Sequence, residues 1–224
     1  MAVIVCKEVW DVDQRLRALG LTTELLVEVV RAIVQAKAGC TTNDPPAAPC
    51  WLGWQMGTRR ARELLRPLGW EKDDTDTWSV VVNHELRIRI VVVNSNPGTG
   101  IELGKPLNVA KKGPKSTQSA YENRQTVFDI AGFLEDYERS VRSERASRYS
   151  TWCLCAFIDD DIVRAELSKP EQYTGGFIAT WHERILFLPD GSLLHSLFLS
   201  TPIDPLADGD DGLSPDFPIE VRRK

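Results

Sequence analysis

A chain of 224 residues, 42% of them hydrophobic, is long enough to bury a sizeable core, which excludes a wholly disordered protein. The net charge of −5 argues against a surface that binds polyanions indiscriminately. No run approaches the roughly 18 apolar residues of a membrane span, and the apolar run at the amino terminus is too short for a signal peptide. We therefore expect a cytoplasmic protein with no membrane partner, in which the five cysteines are thiols.

The first third of the chain is predicted to be helical. Asp11 and Gln14 have the spacing of a capping box and predict a brief helix. A stronger helix is predicted from Thr22 or Thr23 to Gly39, because its apolar residues recur at helical spacing along one side. A proline-rich loop then leads into the middle of the chain.

The middle of the chain begins with a short helix that is rich in arginine. Thr58 is predicted to cap it, since a threonine hydroxyl can accept a backbone N–H at a helix start. Pro67 and Gly69 are predicted to end it. Its arginines, which are candidates for contacts with phosphates, are Arg59, Arg60, Arg62 and Arg66.

Residues 78–93 have the composition of a β-hairpin. A tight turn at Asn83 and His84 would place Arg87 and Arg89 on one face with Trp78, and apolar side chains on the other face. These three residues are further candidates for contacts with nucleic acid.

An arginine-rich helix followed by a two-stranded ribbon resembles the second half of a winged helix, in which a recognition helix enters the major groove and a wing touches the backbone. An amphipathic helix that packs on a mixed sheet, with its arginines in solvent, explains the same pattern.

The region from residue 94 to residue 120 lacks periodicity and marks a possible sub-boundary of the domain. Within 104–124 there are five bases and one acid, a local charge of +4 that leaves −9 for the rest of the chain. We expect either a flexible basic loop that closes over a nucleic-acid backbone or a solvated surface loop. Its candidate phosphate contacts are Lys105, Lys111, Lys112, Lys115 and Arg124.

The last third is predicted to contain a long helix from Thr126, a hairpin that turns at Asp160 and Asp161, and a second hairpin that turns at Asp190 and Gly191. The fold class is therefore α+β, with N-terminal helices followed by a mostly antiparallel sheet built of hairpins and one long helix packed against it. Residues 1–203 are predicted to form a single domain. Residues 204–224 are predicted to form an acidic, mobile tail.

A metal-dependent nuclease would need an acidic residue and an E-x-K-like pair that converge on Mg²⁺. The weak candidates are Asp160, Glu166 and Lys169, but neighbouring Asp161 and Glu166 differ by an odd number and so point to opposite faces of a strand. No cofactor is predicted, and Mg²⁺ is expected only if the nuclease hypothesis holds. The sequence contains no H-E-x-x-H, G-x-S-x-G or C-x-x-C motif.

Three hypotheses follow from these patterns. The first is a nucleic-acid-binding protein that contacts phosphates with the arginine helix, the Trp78 face of the hairpin and the basic loop. The second is a protein-interaction or regulatory module whose basic patch binds a partner protein, for example an acidic one. The third is the metal-dependent nuclease with a degenerate motif.

Overall fold

The computed structural model describes residues 3–75, 78–128, 149–159 and 162–189. Within these ranges no helix is both long and apolar enough to cross a membrane. The helices and strands follow the chain in this order: β1 (Ile4–Cys6), α1 (Val9–Ala18), α2 (Thr23–Ala38), α3 (Ala48–Leu65), β2 (Glu71–Asp73), β3 (Val80–Asn83), β4 (Ile88–Asn94), α4 (Pro114–Phe128), β5 (Ser150–Asp159), β6 (Ile162–Thr174) and β7 (Phe177–Leu188).

The described strands form one seven-stranded sheet in the order β1-β7-β6-β5-β4-β3-β2. Four neighbouring pairs are antiparallel, whereas β1 with β7 and β4 with β5 are parallel. The fold is therefore α+β with a mostly antiparallel sheet, as the sequence predicts. The parallel pair in the centre arises because the chain crosses over from β4 to β5 instead of turning back.

The two faces of the sheet are covered differently. Helices α1, α2 and α3 cover one face, where Trp152 and Leu154 of β5 pack in the main apolar core with Ile33 of α2. On the opposite face Cys153 and Trp181 belong to a smaller apolar cluster. The irregular segment that follows β4 covers this second face together with α4. Because both faces of the sheet are covered, side chains on both faces of β5 are buried.

The prediction that a helix begins at Thr58 is wrong. Thr58 is buried inside α3, which starts at Ala48 and ends at Leu65. Glycines at 53 and 57 count against a helix from local propensity, but they lie where α3 approaches α2. A Cβ at Gly57 would lie 2.6 Å from Ile33, so the missing side chain permits the close packing. The predicted termination by Pro67 and Gly69 is confirmed, because Gly69 closes the end of this helical region with a left-handed φ of 84°.

The β3–β4 hairpin turns later than predicted. Val82 pairs with Arg89 and Asn83 pairs with Ile88, so the turn comprises residues 84–87. Asn83 accepts the Leu86 N–H and thereby stabilises this longer turn. The paired residues still lie on the faces predicted for them, because the observed pairing differs from the predicted pairing by an even number of residues. Both strands lie inside the seven-stranded sheet, so the resemblance to a winged helix is not borne out.

The β5–β6 hairpin has the predicted register. Cys153 pairs with Ser168 and Asp159 pairs with Ile162. β6 then continues to Thr174 and turns through Gly175 and Gly176 into β7, a hairpin that the sequence analysis did not identify. The first strand of the hairpin predicted to turn at residues 190–191 is part of β7, whereas its turn, its second strand and the tail at 204–224 lie outside the described residues.

Helix α4 begins at Pro114, twelve residues before the predicted Thr126. Proline suits the first turn of a helix, because a backbone N–H at that position would make no hydrogen bond within the helix. The segment between β4 and α4 is therefore shorter than predicted. The remainder of the predicted long helix, from residue 129 onwards, lies outside the described residues.

A buried ion pair fixes the glycine-rich start of this segment to the sheet. Arg184 on β7 and Glu166 on β6 are 3% and 0% exposed, and Arg184 Nη2 lies 2.6 Å from Glu166 Oε2. Glu166 also accepts the backbone N–H of Gly100 at 2.8 Å. Gly98 and Gly104 touch backbone to backbone, leaving no room for a Cβ at either position. Residues 98–104 are thus held in one conformation over the sheet.

Candidate functional site

A cleft of about 760 Å³ opens between α4 and the end of the β6–β7 hairpin. It brings together two segments that are about 60 residues apart in the sequence. We call it the basic cleft. Its lining consists of Lys112, Gly113, Pro114, Thr117, Gln118, Ala120, Tyr121, Arg124, Glu171, Gln172, Tyr173 and Gly176.

The hairpin turn positions the lysines at one rim of the basic cleft. Asn108 donates to the carbonyl of Gly176 at 3.0 Å and accepts the N–H of Ile178 at 2.8 Å. The Lys112 N–H donates to the same Gly176 carbonyl at 2.8 Å. The side chain of Lys111 packs directly against Gly176, whose φ is 91°. Three hydrogen bonds and a glycine contact therefore hold two consecutive lysines beside the turn.

Asn123 positions α4 at the other rim. Its side chain is 1% exposed and donates to the carbonyls of Thr151 and Pro170 at 2.9 and 2.8 Å. It also accepts the Thr151 N–H at 2.7 Å. One amide thus bonds to β5 and β6 together, which fixes the distance between the helix and the hairpin.

The aromatic side chains of the basic cleft have different roles. Tyr121 is 49% exposed, and the guanidinium of Arg124 lies 5.6 Å from its ring centre. Tyr173 is half-buried, and its hydroxyl lies 3.8 Å from the Cys153 sulfur. Burial raises the pKa of the Tyr173 hydroxyl above its usual value, and it raises the pKa of the Cys153 thiol to about 11. Both groups stay protonated near neutral pH, so neither acts as a nucleophile there.

The predicted arginine helix lies across the sheet from the basic cleft. Several of its arginines pair with nearby acids. Arg59 donates to Glu63 at 2.7 Å, and Arg62 donates to Asp74, which follows β2, and to the Val80 carbonyl. Arg60 makes two looser pairs, 3.6 Å from Glu28 and 3.7 Å from Glu63. Arg66 is exposed beyond the end of α3. The structure does not bring these arginines together with the basic segment.

The structure separates Arg87 from the other two hairpin candidates, Trp78 and Arg89. Arg89 lies between two aromatic rings, with its guanidinium 5.8 Å from the Trp78 ring centre and 4.3 Å from that of Tyr149. It also donates to Glu122 of α4 at 3.2 Å. Arg87, in contrast, is exposed in the turn with a φ of 53°. Arg89 and Trp78 therefore support the packing of α4, whereas Arg87 faces solvent.

The basic segment is divided between loop and helix. Lys105, Lys111 and Lys112 precede α4, whereas Lys115 and Arg124 belong to it. Lys112 and Arg124 line the basic cleft, and Lys111 lies at its rim. Lys105 is an exposed residue next to the packed glycines of the loop. The prediction of one flexible basic loop is therefore wrong for residues 114–124, which are helical.

The nuclease candidates do not converge. Glu166 accepts from Arg184, Ser168 and Gly100, which occupy both of its oxygens. Lys169 lies near Glu183 on the helix-covered face, the opposite side of β6 from Glu166. Asp160 lies outside the described residues. Among the described His, Cys, Asp and Glu side chains, no three are grouped so as to hold a metal ion.

Lys169 gives a testable pH dependence. Burial lowers its pKa from 10.5 to about 8, against the attraction of Glu183. Between these two pH values the unfolded chain holds a proton that the native chain has released, so Lys169 makes the free energy of unfolding rise with pH. We expect the stability of the wild type relative to Lys169→Met to increase across this window, measured by urea denaturation at several pH values.

The buried thiols act in the opposite direction in that window, because the raised pKa of Cys153 makes stability fall as pH rises from 9 to 11. The thiol contribution is present in both the wild type and Lys169→Met, so it cancels in the difference between their free energies of unfolding. A difference that stays constant from pH 8 to 10.5 would contradict the assignment to Lys169.

Sequence reasoning missed one side of the basic cleft. Gln172 and Tyr173 were not candidates, because the β6–β7 turn that brings them near Lys112 was not recognised. Tyr121 was not a candidate either, because its part of α4 was predicted to be loop. A signal was present: Gly175 and Gly176 form a glycine pair with Tyr-Thr before it and Phe-Ile after it, which is typical of a hairpin turn.

Compared with known proteins, the chain matches no family model, no curated protein and no solved structure.

Proposed function

We propose that this chain binds nucleic acid, with the phosphate backbone lying in the basic cleft. The observation that carries the proposal is the convergence of Lys112 and Arg124 on a cleft that also presents the half-exposed ring of Tyr121. Cationic side chains contact phosphates, and aromatic rings stack on unpaired bases. A groove that combines both is typical of proteins that bind single strands.

The charge around the basic cleft supports an anionic ligand. Lys112 and Arg124 outnumber the one acid of the lining, Glu171, and Lys111 adds a further base at the rim. The amides of Gln118 and Gln172 supply additional hydrogen-bond donors. Because the whole chain carries −5, the attraction for a polyanion is local to this cleft.

The dimensions of the basic cleft favour a strand over a small anion. A volume of about 760 Å³ lies in the range of ordinary ligand pockets, but the cleft is open to solvent and not enclosed. Its bases lie at opposite sides, on the loop before α4 and on the third turn of α4. Several phosphates in a row can contact such an arrangement, whereas a single phosphate cannot contact all of it.

The test is charge reversal of the two lining bases, Lys112→Glu with Arg124→Glu. Each lost phosphate contact weakens binding and reduces the salt dependence, so we expect at least about tenfold lower affinity for a labelled single-stranded oligonucleotide. The slope of log K against log salt concentration should become shallower by roughly 1.4, because each of the two lost phosphate contacts accounts for about 0.7. Fluorescence anisotropy measures both quantities.

The matched control reverses two exposed arginines, Arg59→Glu in α3 with Arg66→Glu just after it, which gives the same change in net charge. Their side chains lie across the sheet, so this variant is expected to retain most of the wild-type affinity. Equal losses in the two variants would show that general charge, and not the basic cleft, determines binding. A loss confined to the control would move the binding site to the arginine helix.

A second candidate function, a protein-interaction module, is supported by a different surface. Val9 and Trp10 at the start of α1 are 79% and 71% exposed, and Ile4 on the adjacent edge strand β1 is 52% exposed. Apolar groups exposed together beside an open strand edge favour contact with another protein. Under this function Trp10→Asp, and not the charge reversal in the basic cleft, would abolish complex formation, as read by light scattering after gel filtration.

A further inference from the structure

A second, smaller pocket lies beside the basic cleft and shares one residue with it. It has a volume of about 290 Å³ and opens between the start of α3 and the segment that follows β4. Lys112 lines both pockets, so they meet at this side chain. The lining of the smaller pocket consists of Ala47, Cys50, Trp51, Trp54, Asn94, Ala110 and Lys112.

Two tryptophans dominate this smaller pocket. Trp51 is 58% exposed, whereas Trp54 is half-buried and packs against the main core. They are three residues apart on α3 and so share one side of the helix. An indole as exposed as that of Trp51 can receive a flat apolar surface without any rearrangement of the core.

The walls of the pocket are held by hydrogen bonds. The Asn94 amide donates to the Cys50 carbonyl at 2.6 Å, which ties the end of β4 to the first turn of α3. The Val109 N–H donates to the Asn94 carbonyl at 3.0 Å, which ties the segment before α4 to the same strand end. These bonds orient the Asn94 amide and leave its Oδ1 buried without a hydrogen-bond partner in the described structure. Hydrogen bonds therefore hold both walls of the pocket in place.

Three properties identify the occupant. The pocket is too small for a duplex, its tryptophans suit a planar ring, and its one cation, Lys112, lies at the junction with the basic cleft. An unpaired nucleobase is planar and is joined to a phosphate. We propose that the pocket of Trp51 and Trp54 binds one unpaired base of a strand whose backbone lies in the basic cleft. This inference rests on the proposed function and makes it specific for single strands.

The experiment compares two labelled oligonucleotides of equal length, one with all its bases and one with a continuous abasic run. Stacking on an aromatic side chain contributes roughly 1–3 kcal/mol per base, so Trp51→Ala should lower affinity for the complete strand at least about fivefold. Its affinity for the abasic strand should equal that of the wild type. Trp51→Phe should restore most of the loss, because phenylalanine also stacks.

The matched control is Trp10→Ala, which removes an indole more exposed than that of Trp51 from α1 and should leave both affinities unchanged. If Trp51→Ala binds the complete strand as tightly as the wild type, the base pocket is refuted. The proposed function would still stand in that case if charge reversal in the basic cleft abolished binding. If the wild type binds neither oligonucleotide, the proposed function itself fails. Equal losses on both oligonucleotides would also refute a base contact.

Discussion

Replacing Arg184 with methionine is expected to lower the free energy of unfolding by about 3–5 kcal/mol, because the Glu166 carboxylate would stay buried without its cation. The guanidinium makes two hydrogen bonds to that carboxylate, at 2.9 and 2.6 Å. It also donates to the carbonyls of Ile101, Glu102 and Gly104, which the substitution would leave without this donor. Urea denaturation followed by circular dichroism measures the loss.

The double variant Glu166→Leu with Arg184→Met separates the ion pair from its other contacts. Removing both charges is often neutral for stability, so the double variant should be more stable than the single one. It should remain below the wild type, because the Gly100 N–H loses its acceptor. Arg17→Met, at an exposed position of α1, should change stability by less than about 0.5 kcal/mol. A wild-type stability for Arg184→Met would contradict this account of the loop.

The second large effect is expected for Asn123→Leu, which should destabilise the fold by about 2–4 kcal/mol. Leucine is close to asparagine in size, but it would leave the Thr151 N–H and the carbonyls of Thr151 and Pro170 buried without their partner. Each unsatisfied group of this kind costs about 1–3 kcal/mol, partly offset by relaxation and by the gain in apolar burial. Thermal unfolding and urea denaturation measure the change.

Asn123→Leu should also weaken nucleic-acid binding, since α4 carries Arg124 and Tyr121 and loses its anchor to the sheet. The control for stability alone is Gln118→Ala, at an exposed position of the same helix that also lines the basic cleft, for which stability should change by less than about 0.5 kcal/mol. If Asn123→Leu and Gln118→Ala are equally stable, the asparagine does not fix α4 as described.

Alternation and turn chemistry were sufficient to predict the β5–β6 hairpin. After the aspartates at 159–161, apolar residues alternate with Arg164, Glu166 and Ser168, which identifies the buried face of β6. The aspartates mark the turn, and together the two signals predict the register that places Trp152, Leu154 and Leu167 on the same face. Helix α2 was predicted for a similar reason, since its apolar stripe is long and Thr22 caps it by accepting the Leu25 N–H. These signals are local, and local signals are what a single sequence contains.

Contacts between distant segments could not be predicted. The start of α3 was missed because Gly53 and Gly57 lower helix propensity, and the reason for them is the neighbouring Ile33 of α2. Glu166 was considered as a metal ligand because its partner Arg184 lies 18 residues away, across a pairing that contains bulges. In both cases the deciding residue belongs to another element.

The candidate site was predicted in part. Lys111, Lys112 and Arg124 were selected from the local excess of bases, and two of them line the basic cleft. The arginines of α3 were selected from the same kind of signal, yet the structure places them across the sheet and pairs several with acids. Charge density along the sequence identifies basic segments but not the face on which they lie.

The central claim, that the basic cleft binds a single-stranded nucleic acid, is tested most directly by titrating the wild-type protein into a labelled single-stranded oligonucleotide at several salt concentrations. If Lys112 and Arg124 each neutralise one phosphate, log K should fall linearly with log salt concentration, with a slope of about −1.4 or steeper. The matching duplex should bind more weakly. Absence of binding at low salt, or an affinity that does not change with salt, would contradict the claim.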